Sequence, residues 1–134
     1  GESADVLNAA NFAKERGSKI LSIVNTTTSS LVKMSDSFIG LNCGYEVGVA
    51  ATKSFTSQLV ILYRILEKLD SGINISSRLD LVTDAIAKIL ENKKSILEIS
   101  QKLKHVEHLY ILGRGIHYPI AKEGALKIKE LLVN

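Results

Sequence analysis

The stretch that most narrows the fold lies near the end of the chain. Residues 109–112 read Leu-Tyr-Ile-Leu, Gly113-Arg114-Gly115 follows, and Pro119 comes shortly after. A short apolar run suits a buried strand, the two glycines let the backbone turn tightly and approach a ligand, and proline fits the first turn of a helix. Strand, glycine turn and helix in that order is a unit of an α/β sheet.

The helix that follows carries a patterned charge. At about 100° per residue, Glu123, Lys127 and Glu130 fall within roughly a 60° arc, while Ala121, Gly124, Ala125, Ile128 and Leu132 cluster on the far side. Ile120 and Leu131 flank the stripe on one edge, and Leu126 and Val133 on the other. Spacing alone leaves two readings open. One is a pair of surface ion pairs at i,i+4 and i,i+3, each contributing about 0.2–0.5 kcal/mol. The other is a functional acid-lysine-acid row set among apolar neighbours.

The rest of the chain supplies the same grammar. Val6, Ala9, Ala10 and Ala13 repeat at helical spacing, with acids before them, Lys14 and Arg16 behind, and Gly17 as a stop. Ser3 stands where a helix cap would, so its hydroxyl either caps the helix or joins the free amides there to hold a phosphate. Residues 20–24 predict a buried parallel strand, residues 26–30 a polar loop, residues 31–34 a helical turn, and residues 37–41 a second strand. Gly40, Gly44 and Gly48 crowd the next connection, which would lie at the carboxyl end of a strand, where α/β sheets bind ligands. Helices are predicted over residues 52–69, 79–90 and 94–103, with a turn cluster at residues 71–77. Thr52 or Ser54 would cap the first of them, and Lys53 reads either as a solvated lysine at its start or as a ligand group.

Composition excludes several functions. Of the 134 residues, 46% are hydrophobic and 23% charged, which is globular rather than disordered. A net charge of +3 with 5% aromatics and scattered lysines gives no basic stacking surface, so no nucleic acid is expected as a partner. No apolar stretch approaches the roughly 20 residues that cross a bilayer, so no membrane role is expected either. Cys43 is the only cysteine, which fits a reducing compartment and a small, partly buried structural role. His105, His108 and His117 lack metal-ligand spacing, and no metal is expected.

Three stretches carry a resemblance. The run from Leu112 to Glu130, Leu-Gly-Arg-Gly-x-x-Tyr-Pro-Ile-Ala-x-Glu-Gly-Ala-Leu-Lys-x-Lys-Glu, resembles the isomerase half of the glutamine:fructose-6-phosphate aminotransferases, the glucosamine-6-phosphate synthase family. Gly44-Tyr45-Glu46-Val47-Gly48-Val49-Ala50-Ala51-Thr52-Lys53-Ser54-Phe55-Thr56 is similar to a second segment of that family, and Gly1-Glu2-Ser3-Ala4-Asp5 to the end of its Ser-x-Ser-Gly-Glu-Thr phosphate loop. The three occur in the family's order.

The resemblance implies a parallel-sheet, three-layer sugar isomerase (SIS) fold, here incomplete. Residues 1–70 would be the C-terminal part of a first SIS domain, 71–106 a helical connection and 107–134 the start of a second. By resemblance, Glu130 moves a proton between the first two sugar carbons and Lys127 assists at the hydroxyl; Glu123, one turn earlier on the helix, is expected to orient Lys127. Gly1, Glu2 and Ser3 would hold the phosphate, and Val49 would touch the sugar through its backbone. Ala51 stands where the family usually carries serine, so a hydroxyl contact from there is lost. Arg114 is either a phosphate ligand or a loop tie. The resemblance calls for no cofactor. It implies sugar-phosphate ligands, a glutaminase domain in a longer parent and a cytoplasmic location, and the open edges of a partial sheet add the expectation of a homodimer. A sugar-phosphate isomerase or deaminase without a glutaminase domain, and a non-catalytic sugar-phosphate-binding regulator, remain alternatives.

Overall fold

The computed structural model describes residues 1–70 and 72–132. Ser71 of the turn cluster, Val133 beside the charged stripe and Asn134 lie outside the described residues, as does the side chain of Leu132. The chain divides into two compact units, residues 1–62 and 63–134.

The first unit opens with α1 (Ala4–Glu15), whose first turn holds Asp5 and whose last holds Lys14. Gly17 ends it: at φ +78° its amide bonds to the Lys14 carbonyl at 2.9 Å, and the Ser18 amide reaches the Ala13 carbonyl at 3.1 Å. That pair of bonds closes a helix through a left-handed residue, which glycine adopts without steric cost. Next come β1 (Leu21–Val24), the one-turn α2 (Ser30–Met34) and β2 (Ser37–Gly40). The strands pair in parallel, with Leu21 opposite Ser37 and Val24 opposite Gly40. Bonds beyond the ladder continue the pairing, from the Asp36 amide to the Ile20 carbonyl at 2.9 Å and from the Leu41 amide to the Val24 carbonyl at 2.8 Å.

The core of this unit is small. Ala10, Val24 and Leu31 are its buried members, with Leu7, Val32 and Met34 packed against them. The Lys14 ammonium adds a polar tie, donating to the Met34 carbonyl at 2.9 Å. All the buried residues among those described lie in this unit. The chain is α/β, as its sequence indicates.

α3 (Lys53–Leu69) runs across the division of the chain, and α4 (Ser76–Glu91), α5 (Lys93–Leu103) and α6 (His117–Leu132) follow. α4 starts earlier than residue 79 because Glu67 draws the turn into the helix. One Glu67 oxygen accepts the Ile75 and Ser76 amides at 3.0 Å each, the other accepts the Ser76 hydroxyl at 2.7 Å, and Arg64 also reaches that hydroxyl. These bonds, the Ser76 amide foremost, lower the Glu67 pKa. No helix among the described residues is long and apolar enough to cross a membrane.

One expected element is absent. Residues 109–112 form no strand, and Tyr110 and Leu112 are largely exposed. A strand is a pairwise object, stabilised by its ladder, and the second unit contains no other strand among its described residues. The apolar run is there, but its partner is not.

Truncating Leu31 to alanine should lower the stability of the first unit by about 2–4 kcal/mol, whereas Leu81→Ala on exposed α4 should change stability by less than about 0.5 kcal/mol. Urea unfolding followed residue by residue by NMR would read both; equal effects would place the core elsewhere.

Candidate functional site

At the carboxyl end of β1 the first unit holds a cavity of about 450 Å³, within the size range of small-ligand sites. Gly1, Ser3, Asn25, Thr26, Glu46 and Ser54 give it a polar lining, and Val24, Leu31 and Leu41 give it apolar walls. Of the residues singled out by sequence, Gly1 and Ser3 line it. Ser3 precedes α1 in an extended conformation, yet its side chain makes no capping hydrogen bond. Gly1 packs so closely on Ser29 that a Cβ there would collide with the Ser29 side chain. Its carbonyl accepts the Leu31 amide at 3.2 Å, so the segment is bonded to α2.

Glu2 serves the same junction. Its carboxylate accepts the Ser30 amide at 2.7 Å. That bond, with the Ser30 side chain second, holds the carboxyl below its usual range. The acid therefore satisfies an amide at the start of α2 that would otherwise lack a partner.

The glycine-rich connection after β2 is pinned at one flank. Asn42 (φ +52°) and Gly44 (φ +74°) take left-handed conformations that turn the chain sharply. Asn25 clips this turn twice, its amide nitrogen donating to the Gly44 carbonyl at 2.7 Å and its amide oxygen accepting the Cys43 amide at 3.3 Å. Lys53 donates to the Tyr45 carbonyl at 2.8 Å, so it is not simply a solvated lysine at the helix start. One Glu46 oxygen accepts the Thr52 amide at 2.9 Å, the Thr52 hydroxyl at 3.2 Å and the Ser54 amide at 3.3 Å. Thus Glu46, not Thr52 or Ser54, satisfies the start of α3. Hydrogen bonding from the Ser54 side chain, then from the Thr52 backbone, lowers its pKa to about 2. Val49 is 75% exposed and does not line the cavity, although Ala51 does.

Asn25, Glu46 and Lys53 thus carry structure that sequence reasoning did not assign. Glu46 lies six residues before Thr52, outside the three-residue spacing of a capping box, so no local pattern marks it.

In the second unit, the charged stripe of α6 assembles. The Lys127 ammonium lies 2.9 Å from Glu130 and 3.3 Å from Glu123, with side chains 21%, 31% and 29% exposed respectively. Ile120, Leu126 and Leu131 beside them are more exposed than the charges they flank. The hydrogen bond to Glu130 is the largest cause of a raised Lys127 pKa, with Glu123 adding to it. Lys127 therefore stays an ammonium throughout the neutral range. The glycine turn before α6 is tight: the Tyr118 amide reaches the Gly115 carbonyl at 3.1 Å, and a Cβ on Gly113 would strike the His117 carbonyl. Among the described residues, no group of three His, Cys, Asp or Glu could hold a metal ion.

Comparison with known proteins gives this geometry a context. Residues 1–68 match the SIS domain family. The glutamine–fructose-6-phosphate aminotransferase (isomerizing) of Chlorobaculum tepidum is 40% identical over 139 residues, covering 98% of this chain and 23% of that protein. The enzyme of the same name from Pyrococcus horikoshii is 41% identical, again over 98% of this chain and 23% of its own length. Its Rattus norvegicus counterpart, aminotransferase 1, is 38% identical and is covered over 20% of its length. The chain spans less than a quarter of the relatives it matches.

The Glu46 cap makes stability depend on acid. Its folded pKa of about 2 lies below the ordinary 4.5, so the contribution is complete above pH 4.5 and is lost as pH falls towards 2. Comparing urea midpoints of Glu46→Gln and the unsubstituted chain cancels the other carboxylates. The gap should be widest at neutral pH and narrow below pH 4.5; a gap independent of pH would show that the charge does not matter.

Proposed function

Because this chain belongs to the SIS domain family, we propose that it is the sugar-phosphate isomerase part of a glutamine:fructose-6-phosphate aminotransferase, the step that makes glucosamine 6-phosphate. The observation that carries the reading is the clasp on α6, where Lys127 bridges Glu130 and Glu123 at 2.9 and 3.3 Å. Support also comes from relatives bearing that name, 40% and 41% identical over almost the whole chain.

In this reading ammonia and open-chain fructose 6-phosphate condense to an imine at C2 with loss of water. Glu130 removes a proton from C1 and returns one to C2, while the imine nitrogen gains a proton and the C1 hydroxyl gives one up as the aldehyde forms. Imine and amino-aldose are isomers, so no oxidant or cofactor is needed. A carboxylate that handles carbon-bound protons benefits from partial exclusion of water, and an adjacent ammonium favours its basic form. Lys127, kept protonated by its two acids, has the charge to stabilise negative charge at O1. Gly1, Glu2 and Ser3 form the phosphate end: Ser3 offers a hydroxyl beside the start of α1, and Glu2 braces the segment against α2. Val49 contributes backbone to the sugar.

The same reading includes a glutaminase domain in the parent protein as the ammonia source, a cytoplasmic location and assembly as a homodimer. Residues 1–70 would then end a first SIS domain, and residues 107–134 would begin a second. A clean monomer by light scattering would remove the homodimer from the proposal.

Titration calorimetry should show glucosamine 6-phosphate binding to this chain, weakened about tenfold by Ser3→Ala through loss of a hydrogen bond to a charged group. In the intact aminotransferase carrying this sequence, Glu130→Gln should lower kcat by about 10²–10⁴ with little change in KM. Unchanged turnover in that variant would remove Glu130 from the chemistry.

A further inference from the structure

The connection after β2 has an uneven distribution of restraints. Its fixed points, made by Asn25 on residues 43 and 44, by Lys53 on residue 45 and by the Glu46 side chain itself, all lie on the approach. Beyond them Val47 is 91% exposed and Val49 75%, while Ala50 is buried at 6% and Ala51 lines the cavity. Residues 46–52 thus form a ring whose neck is a carboxylate bonded to the start of α3 and whose apex points to solvent.

We propose that Glu46 is a positioning residue for the sugar: its carboxylate closes this ring and fixes the backbone of Val49 where the ligand can meet it. The inference rests on the sugar-phosphate reading above. A neutral amide cannot replace the carboxylate fully. One Glu46 oxygen takes three donors, and its negative charge complements the N-terminal end of α3. A glutamine can present only a neutral, weaker acceptor to those donors and lacks the charge that faces the helix start. The ring would then open at its neck, and the apex would have to be ordered by the ligand at the ligand's expense in affinity.

Two probes separate positioning from general damage. Inorganic phosphate reports the grip of residues 1–3 alone, and glucosamine 6-phosphate reports that grip plus the sugar contact. Calorimetry on this chain should find Glu46→Gln about tenfold weaker for glucosamine 6-phosphate but within about twofold for inorganic phosphate, with Glu46→Asp between the two proteins. Lys53→Met, which removes a clip without touching the cavity lining, should show the same selective loss to a smaller degree and serves if Glu46→Gln fails to fold. Equal affinity of Glu46→Gln and the unsubstituted chain for glucosamine 6-phosphate overturns the positioning role and leaves the sugar-phosphate reading intact, as does an equal loss for both probes. Failure of the unsubstituted chain to bind glucosamine 6-phosphate overturns that reading and the inference with it.

Discussion

Parallel pairing of two four-residue strands is the constraint from which the first unit follows. Parallel strands cannot be joined by a tight hairpin, so the chain must leave the end of β1, cross over and re-enter beside its start. Here the crossover is short, a polar loop and the single turn of α2, and its Leu31 packs with Val24 and Ala10 into the core. The same geometry sends both strands out at one end. The loop after β1 and the long connection after β2 therefore open side by side, which is why Asn25 can hold residues 43 and 44 and why a cavity forms there.

Much of this was legible from residue order. Gly17 marked the end of α1 because its left-handed conformation is one that few other residues adopt, and the apolar runs at residues 20–24 and 37–41 marked the strands. The stripe of Glu123, Lys127 and Glu130 followed from helical periodicity alone, and its ion pairs are local enough to form within one element. What escaped prediction depends on partners distant in sequence. Residues 109–112 have the composition of a strand, but composition cannot supply the neighbour that a ladder requires. Lys53 looked like any lysine at a helix start until the Tyr45 carbonyl came within reach. Glu46 and Asn25 are ordinary polar residues whose roles exist only once the connection has folded back on itself.

The acids of this protein divide by what they bind rather than by how deeply they lie. Glu2, Glu46 and Glu67 each accept backbone amides at the start of a helix, and hydrogen bonding lowers the pKa of each, the Ser54 side chain foremost at Glu46 and a backbone amide foremost at Glu2 and Glu67. They act as fixed parts of the scaffold, and at α2 Glu2 supplies the acceptor that the Ser29 side chain does not. Glu123 and Glu130 instead face an ammonium on their own helix. Their partner is a side chain rather than a backbone amide fixed in a helix, so the contacts can change without unwinding anything.

The ring at residues 46–52 separates two kinds of evolutionary freedom. Its closure depends on three positions, 46, 52 and 54, and on one oxygen atom. The side chains at its exposed apex, Val47 and Val49, take no part in that closure. Because the entropy of closing a loop grows only slowly with length, the exposed residues 47–49 can be exchanged at little cost to the scaffold, whereas buried Ala50 cannot. A protein built this way can diversify the surface it shows to a ligand while inheriting unchanged the support that holds it.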